Sequence, residues 1–295
     1  MTRARIVVAG DVVDDVIAVV DQPVRSNTDT PARIKRTLGG SAANTAAWLA
    51  HEGCSVDFFA RVGARDVLRC SEDFSEAGVT PHLAGDEELE TGSLVSIVHG
   101  DDRSMLTDRG ANTAFEPDQI PDSVMAQAAW LHLTGYSFFQ HDNPEVLSSL
   151  IERAGSLGAR VMVDASSAGF LSDIGPERFL NWVGGASILR CNEEEAHILG
   201  HSGDTREAIE CLGQLFPRVI VTTGEDGALV LEDTVAYHIP ATPEECKVDP
   251  TGAGDAFNAG VLAGLAAGLS LVDSGANGSR LGAVAISQLG GRPSA

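Results

Sequence analysis

Near the C-terminus the chain reads Asp249-Pro250-Thr251-Gly252-Ala253-Gly254-Asp255-Ala256-Phe257-Asn258, and small and apolar residues follow at helical spacing through Gly268. The glycines of this stretch allow a tight turn in front of the helix. The free N–H groups of residues 252–254 can then point together at a phosphate, at the positive end of the helix dipole. The stretch therefore predicts an anion-binding helix start.

Asp255 would lie in the first turn of this helix. A carboxylate beside a bound phosphate is electrostatically unfavourable unless it has a chemical task. The natural task is to take a proton from a hydroxyl that attacks phosphorus. A glycine-rich turn with an acidic helix cap would use the same residues without any chemistry. The segment by itself leaves both interpretations open.

A second segment favours the catalytic interpretation of Asp255 over the acidic helix cap. Gly39-Gly40 precedes Asn44 and an apolar helical stretch, far ahead of the first segment. Together the two segments resemble the two signatures of the ribokinase-like (PfkB) carbohydrate kinase family. The resemblance continues at Asn192-x-x-Glu195, at the strand and turn over residues 221–227, and at Asp15 after the first strand, so it covers nearly the whole chain.

The strand pattern points to an α/β fold. Continuous apolar strands, such as residues 6–9, 130–133, 160–163 and 219–221, alternate with helical stretches. Such alternation indicates a parallel sheet covered by helices on both faces, with ligands beyond the carboxyl ends of its strands. The resemblance implies a single ribokinase-like kinase domain over residues 1–295, with a three-layer αβα core and a mostly parallel sheet.

Two stretches, residues 13–38 and 91–112, have strand character outside this alternation, with a turn predicted at residues 100–103 in the second. They resemble the small β-sheet lid of the family, which folds over the sugar and often provides a dimer surface. The resemblance therefore also implies a possible homodimer through the lid. Ordinary edge strands would show the same pattern.

The resemblance implies an ATP-dependent kinase that phosphorylates a primary hydroxyl of a small sugar or sugar acid. Asp255 would be the general base, and the amides of Gly252, Ala253 and Gly254 the anion hole. The implied substrate-binding residues are Asp15, Gly39, Gly40, Asn44, Arg109 and Asn112. Arg109 could equally be a surface partner of Asp101, Asp102 or Asp108. Val13 stands where ribokinases carry an asparagine, which argues against ribose itself.

The resemblance also assigns residues to the nucleotide and its ions. The nucleotide would border Asn192, Thr222, Gly224 and Gly227, with Asn277 near the adenine and residues 283–286 in the helix core. Asn192 and Glu195 would meet Mg²⁺ through water, since oxygen ligands three residues apart share a helix face. In isolation, residues 193–195 are more typical of a solvated acidic helix start. Asp249 and Thr251 resemble the family's monovalent-cation loop, which adds K⁺.

The formal net charge of −22 argues against nucleic acid and anionic membranes as partners. Lys35 and Lys247 are the only lysines, and no Gly-Lys-Ser/Thr is present, so a P-loop is excluded. The charge of a nucleotide must instead be offset by Mg²⁺, backbone amides and a few arginines. We find neither a secretory h-region nor an apolar run of about 20 residues, which predicts a cytoplasmic protein.

Scattered cysteines and histidines show no metal-ligand spacing, so we expect all of them to be structural. The nearest alternative function is a nucleoside kinase of the same family. Only 5% of the residues are aromatic, with no aromatic cluster beside the predicted lid, which disfavours a slot for a base. A non-catalytic nucleotide- or sugar-binding regulator would not need Asp255. A dinucleotide oxidoreductase lacks its Gly-x-Gly-x-x-Gly after the first strand.

Overall fold

The structure is a computed structural model that describes residues 4–100, 102–244 and 246–294. Asp101, part of the predicted turn and a predicted partner of Arg109, lies outside the described residues. Within them the chain forms strands β1 (Arg5–Ala9), β2 (Val13–Val19), β3 (Arg33–Gly39), β4 (Ser55–Gly63), β5 (Thr80–Asp86), β6 (Gly92–His99), β7 (Asp102–Asp108), β8 (Ala128–Thr134), β9 (Arg160–Asp164), β10 (Ile188–Asn192), β11 (Arg218–Thr222), β12 (Ala228–Glu232) and β13 (Val235–Ile239).

The helices of the described residues lie mainly between these strands. They are α1 (Ser41–His51), α2 (Val67–Glu76), α3 (Asp122–Met125), α4 (Tyr136–Phe139), α5 (Glu145–Ser156), α6 (Ala168–Ile174), α7 (Pro176–Val183), α8 (Glu193–Leu199), α9 (Thr205–Leu212), α10 (Ala253–Ala266) and α11 (Leu271–Ile286). No helix of the described residues is long and apolar enough to cross a membrane.

Nine strands form the large sheet, in the order β13-β12-β11-β10-β9-β8-β1-β4-β5. All neighbours from β5 to β11 pair in parallel, whereas β12 pairs antiparallel with both β11 and β13. Parallel strands need crossover connections, which the intervening helices provide. The predicted α/β class with a mostly parallel sheet is confirmed.

Two buried clusters cover the faces of this sheet. In β1, Val7 and Ala9 belong to one cluster and Ile6 and Val8 to the other, because successive side chains of a strand point to opposite faces. Helices α5, α7 and α9 complete the first cluster, and α1, α2, α10 and α11 the second. Burial on both faces explains why these strands are continuously apolar. The predicted three-layer core is thereby confirmed.

The remaining four strands form a separate small sheet in the order β3-β2-β6-β7. They come from the two stretches predicted to form the lid, and they are not edge strands of the large sheet. Ile17 of β2 is buried, whereas Ile34 of β3 and Leu106 of β7 are exposed. Lys35 of β3 donates to the carbonyl oxygen of Leu289 at 2.8 Å, which joins the small sheet to the C-terminal chain.

The β11–β12 turn supplies a test of local backbone constraint. Gly224 and Gly227 both have positive φ, at 61° and 95°, and both were expected to border a nucleotide. A Cβ on Gly227 would lie 2.0 Å from the carbonyl oxygen of Ile239, whereas one on Gly224 would meet nothing within 4 Å. A side chain is conformationally unfavourable at both positions, and more so at Gly227, whose φ of 95° is combined with a ψ of −118°. Gly227 also carries the steric cost, which Gly224 does not.

We expect Gly224→Ala to lower the free energy of unfolding by about 1 kcal/mol and Gly227→Ala by roughly 3 kcal/mol or more. Urea denaturation followed by circular dichroism measures both. Equal losses in the two variants would show that the close approach to Ile239 does not constrain this turn.

Candidate active site

The carboxylate of Asp255 lies where the N-termini of two helices meet. Asp255 is in the first turn of α10, and the hydroxyl of Ser41, the first residue of α1, donates to its Oδ1 at 2.6 Å. The Nδ2 of Asn44, one turn further along α1, donates to Oδ2 at 2.8 Å. The two segments singled out in the sequence therefore converge on one carboxylate.

Burial raises the pKa of Asp255 to about 7. The hydrogen bonds from Ser41 and Asn44 favour the ionised form and oppose this rise, while the negative charges of Asp164 and Asp11 add to it. A carboxyl group that titrates near neutrality can accept a proton more readily than an ordinary aspartate. Asp255 thus has the electrostatic character of a general base.

The turn in front of α10 is tightly held. Gly252 has a φ of 76°, and a Cβ there would lie 2.4 Å from the Cα of Gly291. Ala253 N–H donates to the carbonyl oxygen of Pro250 at 3.3 Å. This contact competes with the anion-binding role predicted for Ala253, so the amides of Gly252 and Gly254 are the better candidates for the anion hole.

Asp11 organises the start of α1, a role that no local sequence pattern indicates. It is 2% exposed, and its Oδ1 and Oδ2 accept hydrogen bonds from the backbone N–H groups of Ala42 and Ser41 at 3.0 and 3.2 Å. Carboxylates are favourable at a helix N-terminus because they satisfy its free donors. Asp11 thereby fixes Ser41, whose hydroxyl bonds to Asp255.

Arg109 is buried beside Asp11. Its Nη2 lies 3.4 Å from Asp11 Oδ2 and donates to the carbonyl oxygen of Tyr136 at 3.1 Å. The guanidinium also lies over the Tyr136 ring, 5.1 Å from its centroid. The alternative of a surface ion pair is wrong, because the residue is only 7% exposed. Arg109 instead links Tyr136 of α4 to Asp11.

Asn112 holds the backbone rather than facing an open space. Its Oδ1 accepts from Val12 N at 2.9 Å, and its Nδ2 donates to the carbonyl oxygens of Val12 and Arg109, both at 2.8 Å. Both amide hydrogens are thus already used. The predicted contact with a sugar would require these bonds to break, so the structure favours a positioning role for Asn112.

The other predicted substrate residues lie next to one another between β2 and the start of α1. Asp15 of β2 is 4% exposed, and a Cβ on Gly39 would lie 3.3 Å from the Cβ of Asp15. Gly40 follows at the N-terminus of α1, where its carbonyl oxygen accepts from Asn44 N at 2.8 Å. Asp15, Gly39, Gly40 and Asn44 therefore form one continuous strip that leads to Asp255.

A cavity of about 1410 Å³ extends from α10 towards the small sheet. Predicted nucleotide or cation residues line it, namely Thr222, Gly224, Gly227, Asp249 and Gly254. Ala283 and Ile286, which we assigned to the helix core, also line it and provide an apolar wall. Such a mixture of apolar walls and polar groups suits an organic ligand.

Asn277 is not among the described residues that line this cavity. Its Nδ2 donates to the carbonyl oxygen of Gly260 at 2.9 Å, and its Oδ1 accepts from Arg280 Nη2 at 2.9 Å. The first bond ties α11 to α10, and the second lies within α11. The structure therefore gives Asn277 a packing role and does not support its predicted position at an adenine.

Asn192 and Glu195 form a reciprocal cap at the start of α8. Asn192 Oδ1 accepts from Glu195 N, and Glu195 Oε2 accepts from Asn192 N, both at 2.8 Å. Glu195 is 1% exposed, so the solvated interpretation is wrong for it, whereas Glu193 and Glu194 are exposed. Burial and then the charge of Asp164 raise the pKa of Glu195 to about 7, against the opposing effect of Arg190.

Asp249 ties the turn before α10 to the C-terminal chain. Its Oδ1 accepts from the backbone N–H of Thr251 at 2.9 Å and from the Thr251 hydroxyl, and its Oδ2 accepts from Gly290 N at 2.9 Å. Among the described residues, no group of three or more His, Cys, Asp and Glu side chains could hold a metal ion. A metal bound anywhere in the candidate active site would therefore take most of its ligands from substrate or water.

Comparison with known proteins supports this picture. A sequence model of the pfkB family carbohydrate kinases matches residues 3–295. The chain is 28% identical over 272 residues to an adenosine kinase of Saccharomyces cerevisiae, covering 87% of this chain and 79% of the yeast protein. It is 30% identical over 267 residues to an ATP-dependent ribose-1-phosphate kinase of Halopiger xanaduensis, covering 88% and 84%. A probable sugar kinase from Rhizobium etli superimposes with a TM-score of 0.88 and 28% identity, covering 99% and 96% of the chains.

The raised pKa of Asp255 predicts how stability depends on pH. The folded protein favours the protonated form up to about pH 7, while the unfolded chain ionises near 3.8. The wild type should therefore lose stability as the pH rises between these values, and Asp255→Asn should lose less, because Glu195 still contributes the same kind of loss in the variant. Between pH 4 and pH 8 the stability of the variant relative to the wild type should rise by up to about 4 kcal/mol, since each pKa unit corresponds to about 1.4 kcal/mol.

Urea denaturation at both pH values measures this difference. Glu194→Gln removes an exposed carboxylate and serves as the control. A constant stability difference between Asp255→Asn and the wild type across this range would contradict the raised pKa.

Proposed function

Because the chain belongs to the pfkB family of carbohydrate kinases, which are phosphotransferases with an alcohol group as acceptor, we propose that it transfers the γ-phosphoryl group of ATP to a primary hydroxyl of a small sugar or sugar acid. The observation that carries the proposal is the Asp255 carboxylate, which has a pKa of about 7 and lies in the first turn of a glycine-started helix. A binding-only regulator would have no use for such a base.

Side chains and backbone amides have separate roles in the proposed reaction. Ser41 and Asn44 orient the Asp255 carboxylate, which accepts the proton of the acceptor hydroxyl as its oxygen bonds to phosphorus. The bond from phosphorus to the bridging oxygen breaks, and its electron pair stays with ADP. The N–H groups of Gly252 and Gly254 stabilise the negative charge on the transferring oxygens.

Asn192 and Glu195 fit a Mg²⁺ ion that they reach through water, since one buried carboxylate and one amide do not make a complete protein site. Bound Mg²⁺ would offset charge on the phosphate oxygens of the nucleotide. The capping bonds hold both side chains at the start of α8. A K⁺ site at Asp249 and Thr251 stays a prediction, because both Asp249 carboxylate oxygens already accept hydrogen bonds from the protein.

A nucleoside is the second candidate acceptor, and a specific observation favours it. The ring of Tyr136 lies 6.1 Å from that of Phe139 and 6.3 Å from that of Phe170, between centroids. Tyr136 also contacts Arg109, which adjoins Asp11. The low aromatic content of the sequence did not reveal this cluster, whose half-buried Tyr136 and Phe170 would offer an apolar surface to the base of a nucleoside. A yeast relative named adenosine kinase agrees with this second candidate.

ADP release measured with a panel of pentoses, hexoses, sugar acids and nucleosides tests the function and ranks the two candidates. We expect acceptor-dependent ADP release whose kcat rises with pH to a plateau above about pH 7, because Asp255 must be ionised to act as a base. Asp255→Asn should lower kcat by about 10²–10⁴-fold and leave ADP affinity largely unchanged. A variant with kcat within about threefold of the wild type would remove Asp255 from the mechanism.

Glu195→Gln tests the Mg²⁺ assignment separately. Glutamine retains the carbonyl oxygen that accepts from Asn192 N, so the cap can survive while the charge is lost. We expect the Mg²⁺ concentration for half-maximal rate to rise about tenfold, and Glu194→Gln to leave it unchanged. Mg²⁺ titrations of initial rate measure both variants, and similar shifts in the two would point to the general acidity of the surface instead.

A further inference from the structure

Arg190 of β10 is a buried cation that the sequence analysis did not identify. It is 6% exposed, yet it is one of the residues that line the cavity. Its Nη1 donates to both carboxylate oxygens of Asp164 at 3.1 Å, and its Nη2 donates to Thr222 Oγ1 at 2.8 Å. The guanidinium plane is therefore fixed by two neighbouring strands.

The guanidinium lies directly beside the turn in front of α10. A Cβ on Gly254 would be 3.2 Å from both Nη1 and Nη2 of Arg190. The ring of Phe257, one turn further along α10, lies 5.7 Å from the guanidinium carbon. A larger residue at position 254 would require the guanidinium to move by a few tenths of an ångström, so the glycine allows the present close approach.

This arrangement places a positive side chain next to the positive end of a helix dipole. Asp164 compensates part of the charge, and it also accepts from Asn258 Nδ2 at 2.5 Å and from Ser166 N at 3.0 Å. Arg190 Nε has no hydrogen-bond partner among the described residues. A buried donor without a partner is costly, so stability alone does not account for this arrangement.

The other cations along the cavity are less suited to a fixed role. Lys247 is exposed and pairs with Glu225, and Lys35 donates to the carbonyl oxygen of Leu289. Arg33 is also exposed. Arg190 is the buried member of this set within the described residues. In a chain with a net charge of −22, such a preorganised cation is the strongest available counter-charge for a polyanion.

We infer that Arg190 contacts the terminal phosphate of the bound nucleotide and stabilises the transferring phosphoryl group, with Asp164 and Thr222 as its positioning residues. The inference rests on the proposed function and adds a side-chain cation to the two backbone amides of the turn. A planar guanidinium can offer two parallel donors to phosphate oxygens, which an ammonium group cannot. Asp164 keeps that plane at Gly254.

The test compares charge removal with loss of structure. Arg190→Gln alone leaves Asp164 as a buried, uncompensated charge, which is expected to destabilise the fold. The double variant Asp164→Asn/Arg190→Gln removes both charges and retains polar groups of similar size. Arg190→Lys retains the positive charge but loses the paired N–H donors of the planar guanidinium. Arg5→Gln/Asp57→Asn is the matched control, since Asp57 is 1% exposed and pairs with Arg5 on strands β1 and β4 of the same sheet.

Two measurements are made on each variant, namely kcat with the best acceptor and the affinities for ADP and the β,γ-imido analogue of ATP at one Mg²⁺ concentration. We expect the Asp164→Asn/Arg190→Gln variant to lose about 100-fold or more in kcat. Its preference for the imido analogue over ADP should fall about tenfold, since only the former has the third phosphate group. Arg190→Lys should recover part of both, and the control pair should change neither.

A purely structural role for Arg190 would give a different result. The Asp164→Asn/Arg190→Gln variant would then retain kcat within about threefold and the same preference between the two nucleotides, which would overturn the inference. Failure of the proposed function is distinguishable from this outcome. It would appear as absence of acceptor-dependent ADP release in the wild type, while the nucleotide affinities would still report on Arg190.

Discussion

The hydrogen bonds from Ser41 and Asn44 to the Asp255 carboxylate are the contact on which the site depends. They bring the N-termini of α1 and α10 together, although the two helices are far apart in sequence. Asp11 holds the start of α1 in turn, through the backbone N–H groups of Ser41 and Ala42. Partial positive charges at two helix ends thus surround the carboxylate, while burial opposes its ionisation. This balance explains how an aspartate comes to titrate near neutrality.

The second organising feature is the pairing of buried charges in a strongly acidic chain. Asp11 adjoins Arg109, and Asp164 binds Arg190, with all four residues less than a tenth exposed. Such pairs do not stabilise a fold as well as apolar packing can, because their desolvation is costly. Their position at the carboxyl edge of the large sheet is therefore better explained by the site than by stability. They place two guanidinium groups beside buried carboxylates at this edge of the sheet.

The aromatic cluster of Tyr136, Phe139 and Phe170 helps to distinguish a sugar from a nucleoside as the acceptor. Tyr136, Phe139 and Phe170 come from α4 and α6, and the predicted sugar residue Asp15 comes from the small sheet. A sugar is recognised mainly through directional hydrogen bonds, whereas a nucleoside base also needs an apolar face. The structure supplies groups of both kinds. We therefore expect the two acceptor classes to be separated by residues of α4, α6 and the small sheet, and not by the hydrogen bonds around Asp255.

The sequence by itself determined the α/β class, the glycine turn at residues 252–254, the family resemblance and the candidate base Asp255, because each depends on residues adjacent in the chain or on regular periodicity. The tertiary structure decided which hydrogen-bond and ion-pair partners each polar side chain has. Asn112 and Asn277 carry amides that could equally bind a ligand, and only packing commits them to backbone carbonyls. Arg190 and Tyr136 were not identified from the sequence for the same reason, since their neighbours are distant in sequence, and the partners of Arg109 were left open. Burial and ion pairing depend on which strands and helices lie side by side, and local sequence does not specify that.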